Sequence, residues 1–135
     1  MNMLKLAALS AAFAIALAPM PSFASSLDGA GWRPVSFGSS QPSPQQQIVF
    51  GADGRVYGSD GCNRFSGRYS VDANGKLTID TASMMATKMG CRDLNVQTAT
   101  KALMQALTDV RGYRVDGDSL ILLDSAGNEL AQLAR

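Results

Sequence analysis

Residues 65–79 read Phe65-Ser66-Gly67-Arg68-Tyr69-Ser70-Val71-Asp72-Ala73-Asn74-Gly75-Lys76-Leu77-Thr78-Ile79. Phe65, Tyr69 and Val71 recur at a period of two before the Asp-Ala-Asn-Gly cluster, and Leu77 and Ile79 alternate after it. Period two is the signature of a strand with one buried face. Asn-Gly between two such runs is a strong short-range hairpin signal, because both residues accept positive φ. The stretch therefore predicts two antiparallel strands, and it sets the β character of the chain.

The same pattern extends in both directions. Upstream, Ile48-Val49-Phe50 and Arg55-Val56-Tyr57 flank Gly51-Ala52-Asp53-Gly54, a second hairpin cluster. Trp32 to Phe37 reads as a first strand, and its internal Pro34 predicts either a sheet edge or a bulge. Gly38 to Gln47 is low-complexity and polar, the composition of a surface loop. Downstream, Met84 to Met89 is apolar enough for a further short strand. Asp93 is placed to cap a helix whose apolar stripe runs through Val96, Ala99, Ala102, Leu103, Ala106, Leu107 and Val110, with Gly112 as its expected stop. Tyr113 to Val115, Leu120 to Leu123 and Leu130 to Leu133 predict closing strands around Asp116-Gly117-Asp118 and Asp124-Ser125-Ala126-Gly127. The expected fold is α+β and mainly β: a small antiparallel curved sheet or open barrel with one helix packed on it.

The first 24 residues read as a cleavable export signal. Lys5 supplies a positive n-region, and Leu6 to Ala18 is apolar except for Ser10. That run falls short of the roughly 20 residues a membrane span needs. Pro19 and Pro21 end it, and Ser22-Phe23-Ala24 offers the small residues of a cleavage site, so cleavage is expected after Ala24. Removing 24 of the 135 residues leaves 111, enough for a single domain over residues 25–135. Lys5 leaves with the leader, so the 12 basic residues become 11 against 11 acidic ones, and the mature chain is neutral. It has no basic stripe, which argues against nucleic acid as a partner, and no apolar run long enough for a transmembrane span. Export also sets the expectation for Cys62 and Cys91. A disulfide between them is the leading reading, with buried free thiols as the alternative.

Few residues suggest chemistry. Histidine is absent, so Ser–His and Cys–His nucleophile pairs are excluded. Nucleotide-binding glycine loops are missing, and the two cysteines lack the spacing of a metal or redox motif. Asp53, Asp60 and Asp72 sit beside turn glycines, where aspartate serves the local backbone. Asp116-Gly117-Asp118 offers too few oxygens for calcium. No catalytic residue, metal or cofactor is therefore expected. The densest segment, Gly58 to Tyr69 (GSDGCNRFSGRY), predicts a tight backbone course with Asn63 holding neighbouring main chain, and with a ligand or partner site as the other reading.

Gly61-Cys62-Asn63-Arg64-Phe65-Ser66-Gly67-Arg68-Tyr69 resembles the G-C-N-x-F-x-G-x-Y signature of the META domain, the family of HslJ-like heat-shock proteins. Ala86-Thr87-Lys88-Met89-Gly90-Cys91 is similar to its T-x-M-x-C segment, and Tyr113 to Leu122 to its closing Y-x-V-x-G-x-x-L-x-L. The resemblance spans about residues 30–135. It implies a lipocalin-like barrel shape with one helix, a bacterial envelope location and a part in stress or antibiotic tolerance, without an enzyme activity. Gly61, Cys62, Asn63, Phe65, Gly67, Tyr69, Thr87, Met89 and Cys91 carry over as fold-defining positions. The functional expectation is a non-enzymatic periplasmic protein that contacts an envelope component. The alternative is a small-molecule binder with a barrel mouth lined by Trp32, Tyr57, Phe65 or Tyr69; Trp32, Tyr57 and Asn63 are the expected contact residues.

Overall fold

The structure is a computed structural model that describes residues 10–15, 26–29 and 31–135. Most of the expected leader, with its cleavage position after Ala24, lies outside the described residues. Eight strands and one helix follow one another: β1 (Gly31–Ser36), β2 (Gln47–Phe50), β3 (Arg55–Ser59), β4 (Arg64–Val71), β5 (Leu77–Ala86), α1 (Leu94–Asp109), β6 (Gly112–Asp116), β7 (Ser119–Leu123) and β8 (Glu129–Ala134). They form one antiparallel sheet in the order β5-β4-β3-β2-β1-β8-β7-β6. The sheet is curved and open, as expected, and does not close, which corrects the lipocalin-like barrel that the resemblance implies. The edge strands β5 and β6 pair with one neighbour each, although the Leu77 N–H reaches the Arg111 carbonyl just before β6 at 3.1 Å.

β1 is the hinge of this sheet. Gly31 and Trp32 pair with β2, whereas Arg33, Pro34 and Ser36 pair with β8, with a register shift between Pro34 and Ser36. Val35, the residue after Pro34, is thus left out of the ladder, and Pro34 marks a bulge in a central strand and not an edge.

The long β5 absorbs the separate strand expected over Met84–Met89. Ser66 and Arg68, two apart on β4, face Met85 and Asp80, five apart on β5, so the intervening residues bulge out before pairing resumes. Beyond Ala86 the chain leaves the sheet, and Thr87–Cys91 is irregular.

α1 starts where Asp93 accepts hydrogen bonds from the N–H groups of Asn95 (2.8 Å) and Val96 (3.4 Å). It ends at an extended Val110 and not at Gly112, which opens β6 with no positive φ. The helix buries Ala99, Leu103, Ala106 and Leu107 against the inward side chains of the sheet. Trp32, Ile48, Phe50, Val56, Leu77, Leu120, Leu122 and Leu133 complete a filled core. This layered packing is what brings the β3–β4 turn, the Thr87–Cys91 segment and the start of α1 to one corner.

Candidate functional site

The corner is built on Asp60, which is buried at the end of β3. Its Oδ1 accepts from the N–H groups of Cys62 (2.8 Å) and Asn63 (2.6 Å), and its own N–H donates to the Asn63 carbonyl (2.9 Å). This carboxylate is a turn-former, committed to the backbone. Gly61 lies at φ +106 beneath α1, where a Cβ would come within 3.2–3.3 Å of Val96, Gln46 and Thr100. Glycine here provides both the left-handed course and the close approach of the helix.

Asn63 joins the turn to the next segment. Its Oδ1 accepts from the N–H groups of Met89 (2.6 Å) and Gly90 (3.0 Å) and from the Thr87 hydroxyl (3.3 Å). The Thr87 Oγ1 in turn accepts from the Arg64 N–H at 3.1 Å. A Cys62–Cys91 disulfide, with Cα atoms 5.1 Å apart, closes the same junction covalently. Gly61, Cys62, Asn63, Thr87, Met89 and Cys91 therefore meet at one point, while Phe65 faces the core. Gly67 stands opposite Val56 where β5 bulges.

Sequence reading missed Gln46. It lies in the polar 38–47 stretch expected at the surface, yet it is 1% exposed and the neighbouring Ser43 is buried as well. Gln46 Oε1 accepts from the Ser43 N–H at 2.9 Å, and Nε2 donates to the carbonyls of Asp60 (2.9 Å) and Ala99 (2.8 Å). Thr100 also donates its hydroxyl to the Asp60 carbonyl, at 2.8 Å. One amide thus ties loop, turn and helix together. Gln46→Met keeps the length and strands the Ser43 N–H, so it is expected to cost about 2–3 kcal/mol in chemical denaturation. A cost within error of zero would show that water replaces these bonds.

Tyr69 packs edge-on against Phe50, with ring centroids 5.1 Å apart, and its hydroxyl donates to the Gly51 carbonyl. Burial, then the charges of Asp28 and Asp53, then Tyr113, push its phenol above the usual tyrosine range. The folded state holds this proton more tightly than the unfolded chain. The associated stability is therefore present below the unfolded tyrosine pKa of about 10 and is lost as pH rises through the higher folded value. Thermal melts are expected to fall across that alkaline window, and more steeply than those of Tyr69→Phe. Parallel curves would remove this role.

The opposite side of β2–β5 carries the exposed surface. Across the strands, Val49 faces Tyr57, Tyr57 faces Ser66, and Ser66 faces Met85, all directed away from the core. Tyr57 is 44% exposed and Met85 74%. Two shallow concavities of about 360 and 320 Å³ share Arg64 and Phe65, one reaching Val49 and Tyr57 and the other Met85. Trp32 is not among these residues. It is fully buried, its Nε1 donates to the Leu27 carbonyl at 2.9 Å, and the Arg135 guanidinium lies 4.7 Å over its ring. Of the three expected contact residues, only Tyr57 faces an open surface; Trp32 is core and Asn63 is committed to the corner.

The META domain family model matches residues 25–135. The chain belongs to the META domain family. No curated protein matches it. Among solved structures, a DUF4847 family protein from Bacteroides vulgatus ATCC 8482 superposes with a TM-score of 0.51 at 22% identity, over 67% of this chain. The present chain spans 58% of the length of that protein. An NMR structure of a protein from Burkholderia xenovorans gives 0.56 at 23% identity, covering 78% of this chain and 77% of that one. A further NMR structure gives 0.50 at 23%, covering 75% and 78%. These likenesses, all below 25% identity, are of fold alone.

Proposed function

We propose that this META-domain protein is exported to the bacterial envelope after cleavage behind Ala24. There it acts without catalysis, by contact with another envelope component, in stress or antibiotic tolerance. The observation that carries the reading is the outward row of Val49, Tyr57 and Met85, set on a domain whose interior is filled. A filled core leaves the outer surface as the place where the molecule can meet something else. The disulfide supports an oxidising compartment. The alternative of a small-molecule binder retains only the open concavity beside Tyr57, since the aromatic mouth it needs is replaced by packed core.

Photo-crosslinking in intact cells tests this reading. A crosslinker at Tyr57 or Met85 is expected to give discrete adducts with an envelope component, and one in the Asp124–Asn128 turn is expected to give none. Equal patterns from both surfaces would reject the outer row as the contact face. N-terminal sequencing of the extracted protein tests the leader, with Ser25 as the expected first residue.

A further inference from the structure

The apolar row on the outer face lies between arginines. On one side Arg64 flanks it, two positions before Ser66 on β4; on the other, Arg68 lies two positions after. Residues two apart on a strand are about 7 Å apart on one face. Arg68 in turn stands directly opposite Arg55 of β3, and both line a concavity with Ser66, Ser83 and Met85. Like charges at directly opposed positions disfavour the pairing. Among the described residues, none of these three guanidiniums has a carboxylate within 4 Å, and none donates a hydrogen bond. On its other side Arg68 faces Asp80 of β5, which forms no ion pair with it and whose Oδ1 accepts from the Ser83 N–H. Asp53, two residues before Arg55, has its Oδ1 accept from the Arg55 N–H.

We propose that this face docks on a bilayer surface through anionic phospholipid headgroups, a proposal that rests on the envelope reading above and names the component contacted. Guanidinium forks match phosphate oxygens, and a headgroup phosphate between Arg55 and Arg68 relieves their repulsion. Tyr57 and Met85 then sit at the depth where an amphipathic aromatic and an apolar side chain meet the acyl boundary. The face is open and shallow, which suits a fluid surface more than a shape-matched protein partner. Because the chain expected after cleavage carries 11 basic and 11 acidic residues and is neutral, attraction depends on this local polarity.

Co-sedimentation of the exported, disulfide-bonded protein with vesicles tests the proposal. Vesicles of phosphatidylglycerol and phosphatidylcholine are expected to bind it, and phosphatidylcholine alone to leave it in solution. The double variant Arg55→Gln/Arg68→Gln is expected to bind about twenty-five-fold more weakly, since each basic side chain at an anionic surface contributes roughly a factor of five. Arg114→Gln, on β6, is expected to bind like the unchanged protein, and raised salt to release all three. Binding that ignores lipid charge, a double variant indistinguishable from Arg114→Gln, or full displacement by millimolar inorganic phosphate overturns the bilayer as occupant. Adducts from Tyr57 to an envelope protein, with no vesicle binding, would leave the contact reading standing and remove the lipid.

Discussion

Replacing both Cys62 and Cys91 by alanine is expected to lower the unfolding free energy by about 3–4 kcal/mol. The bridge joins residues 29 apart in sequence. Closing a loop of that size in the unfolded chain removes conformational entropy equivalent to roughly 3.6 kcal/mol at 25 °C. The folded corner retains its other ties, because Asn63 still accepts from Met89 and Gly90 and Asp60 still closes the turn. The loss therefore arises mainly in the unfolded state, so the denaturant dependence is expected to steepen as the freed chain exposes more surface. Urea titrations of the oxidised protein and the double variant measure both quantities. A difference below about 1 kcal/mol with unchanged slope would mean that the hydrogen bonds already hold Thr87–Cys91 in the unfolded ensemble, and the entropic account would fail.

What could be read from the sequence divides by how local its cause is. The Asn74-Gly75 hairpin forms as its residues predict: Asp72 Oδ1 accepts from the N–H groups of Asn74 and Lys76, Gly75 takes φ +78, and Val71 pairs with Leu77. The helix cap at Asp93 and the Asp124 turn, which holds the N–H groups of Ala126 and Asn128, were legible for the same reason. Each depends on chemistry contained within about five residues.

Gln46 was illegible because its role is set by Ala99, 53 positions away. Nothing distinguishes it locally from Gln45 and Gln47 beside it. Pro34 carried a true signal of irregularity, but whether the strand lies at an edge depends on β8 arriving from the far end of the chain. Trp32 looked like a binding aromatic because a lone tryptophan has two readings. Leu27 and Arg135 decide between them by satisfying its N–H and covering its ring. The signature residues were legible as a motif, whereas their convergence on one corner needed the fold.

Gly58→Ala is expected to be the most damaging single methyl in the domain, at about 3–5 kcal/mol. Gly58 lies inside the sheet, paired with Ile48 on one side and Phe65 on the other. A Cβ there would be driven into the Gln47 carbonyl oxygen and would lie 2.9 Å from its carbon and 3.2 Å from the Ile48 Cα. All three atoms are main chain, so no side chain can swing aside. The residue also sits at φ +156, a region that L side chains rarely adopt. Relief requires β2 to move off β3, which displaces the fully buried Ile48 and pulls Gln46 from the carbonyls of Asp60 and Ala99. Collapse at this point thus spreads into the signature corner. Gly75→Ala is the control: its φ is +78 but its Cβ would meet nothing within 4 Å, so it carries only the left-handed penalty of about 1–2 kcal/mol. Denaturation midpoints of the two variants separate collision from backbone strain. If Gly58→Ala proves no more costly than Gly75→Ala, β2 and β3 do not approach as closely as the structure has them, and the packing that holds Gln46 in place loses its basis.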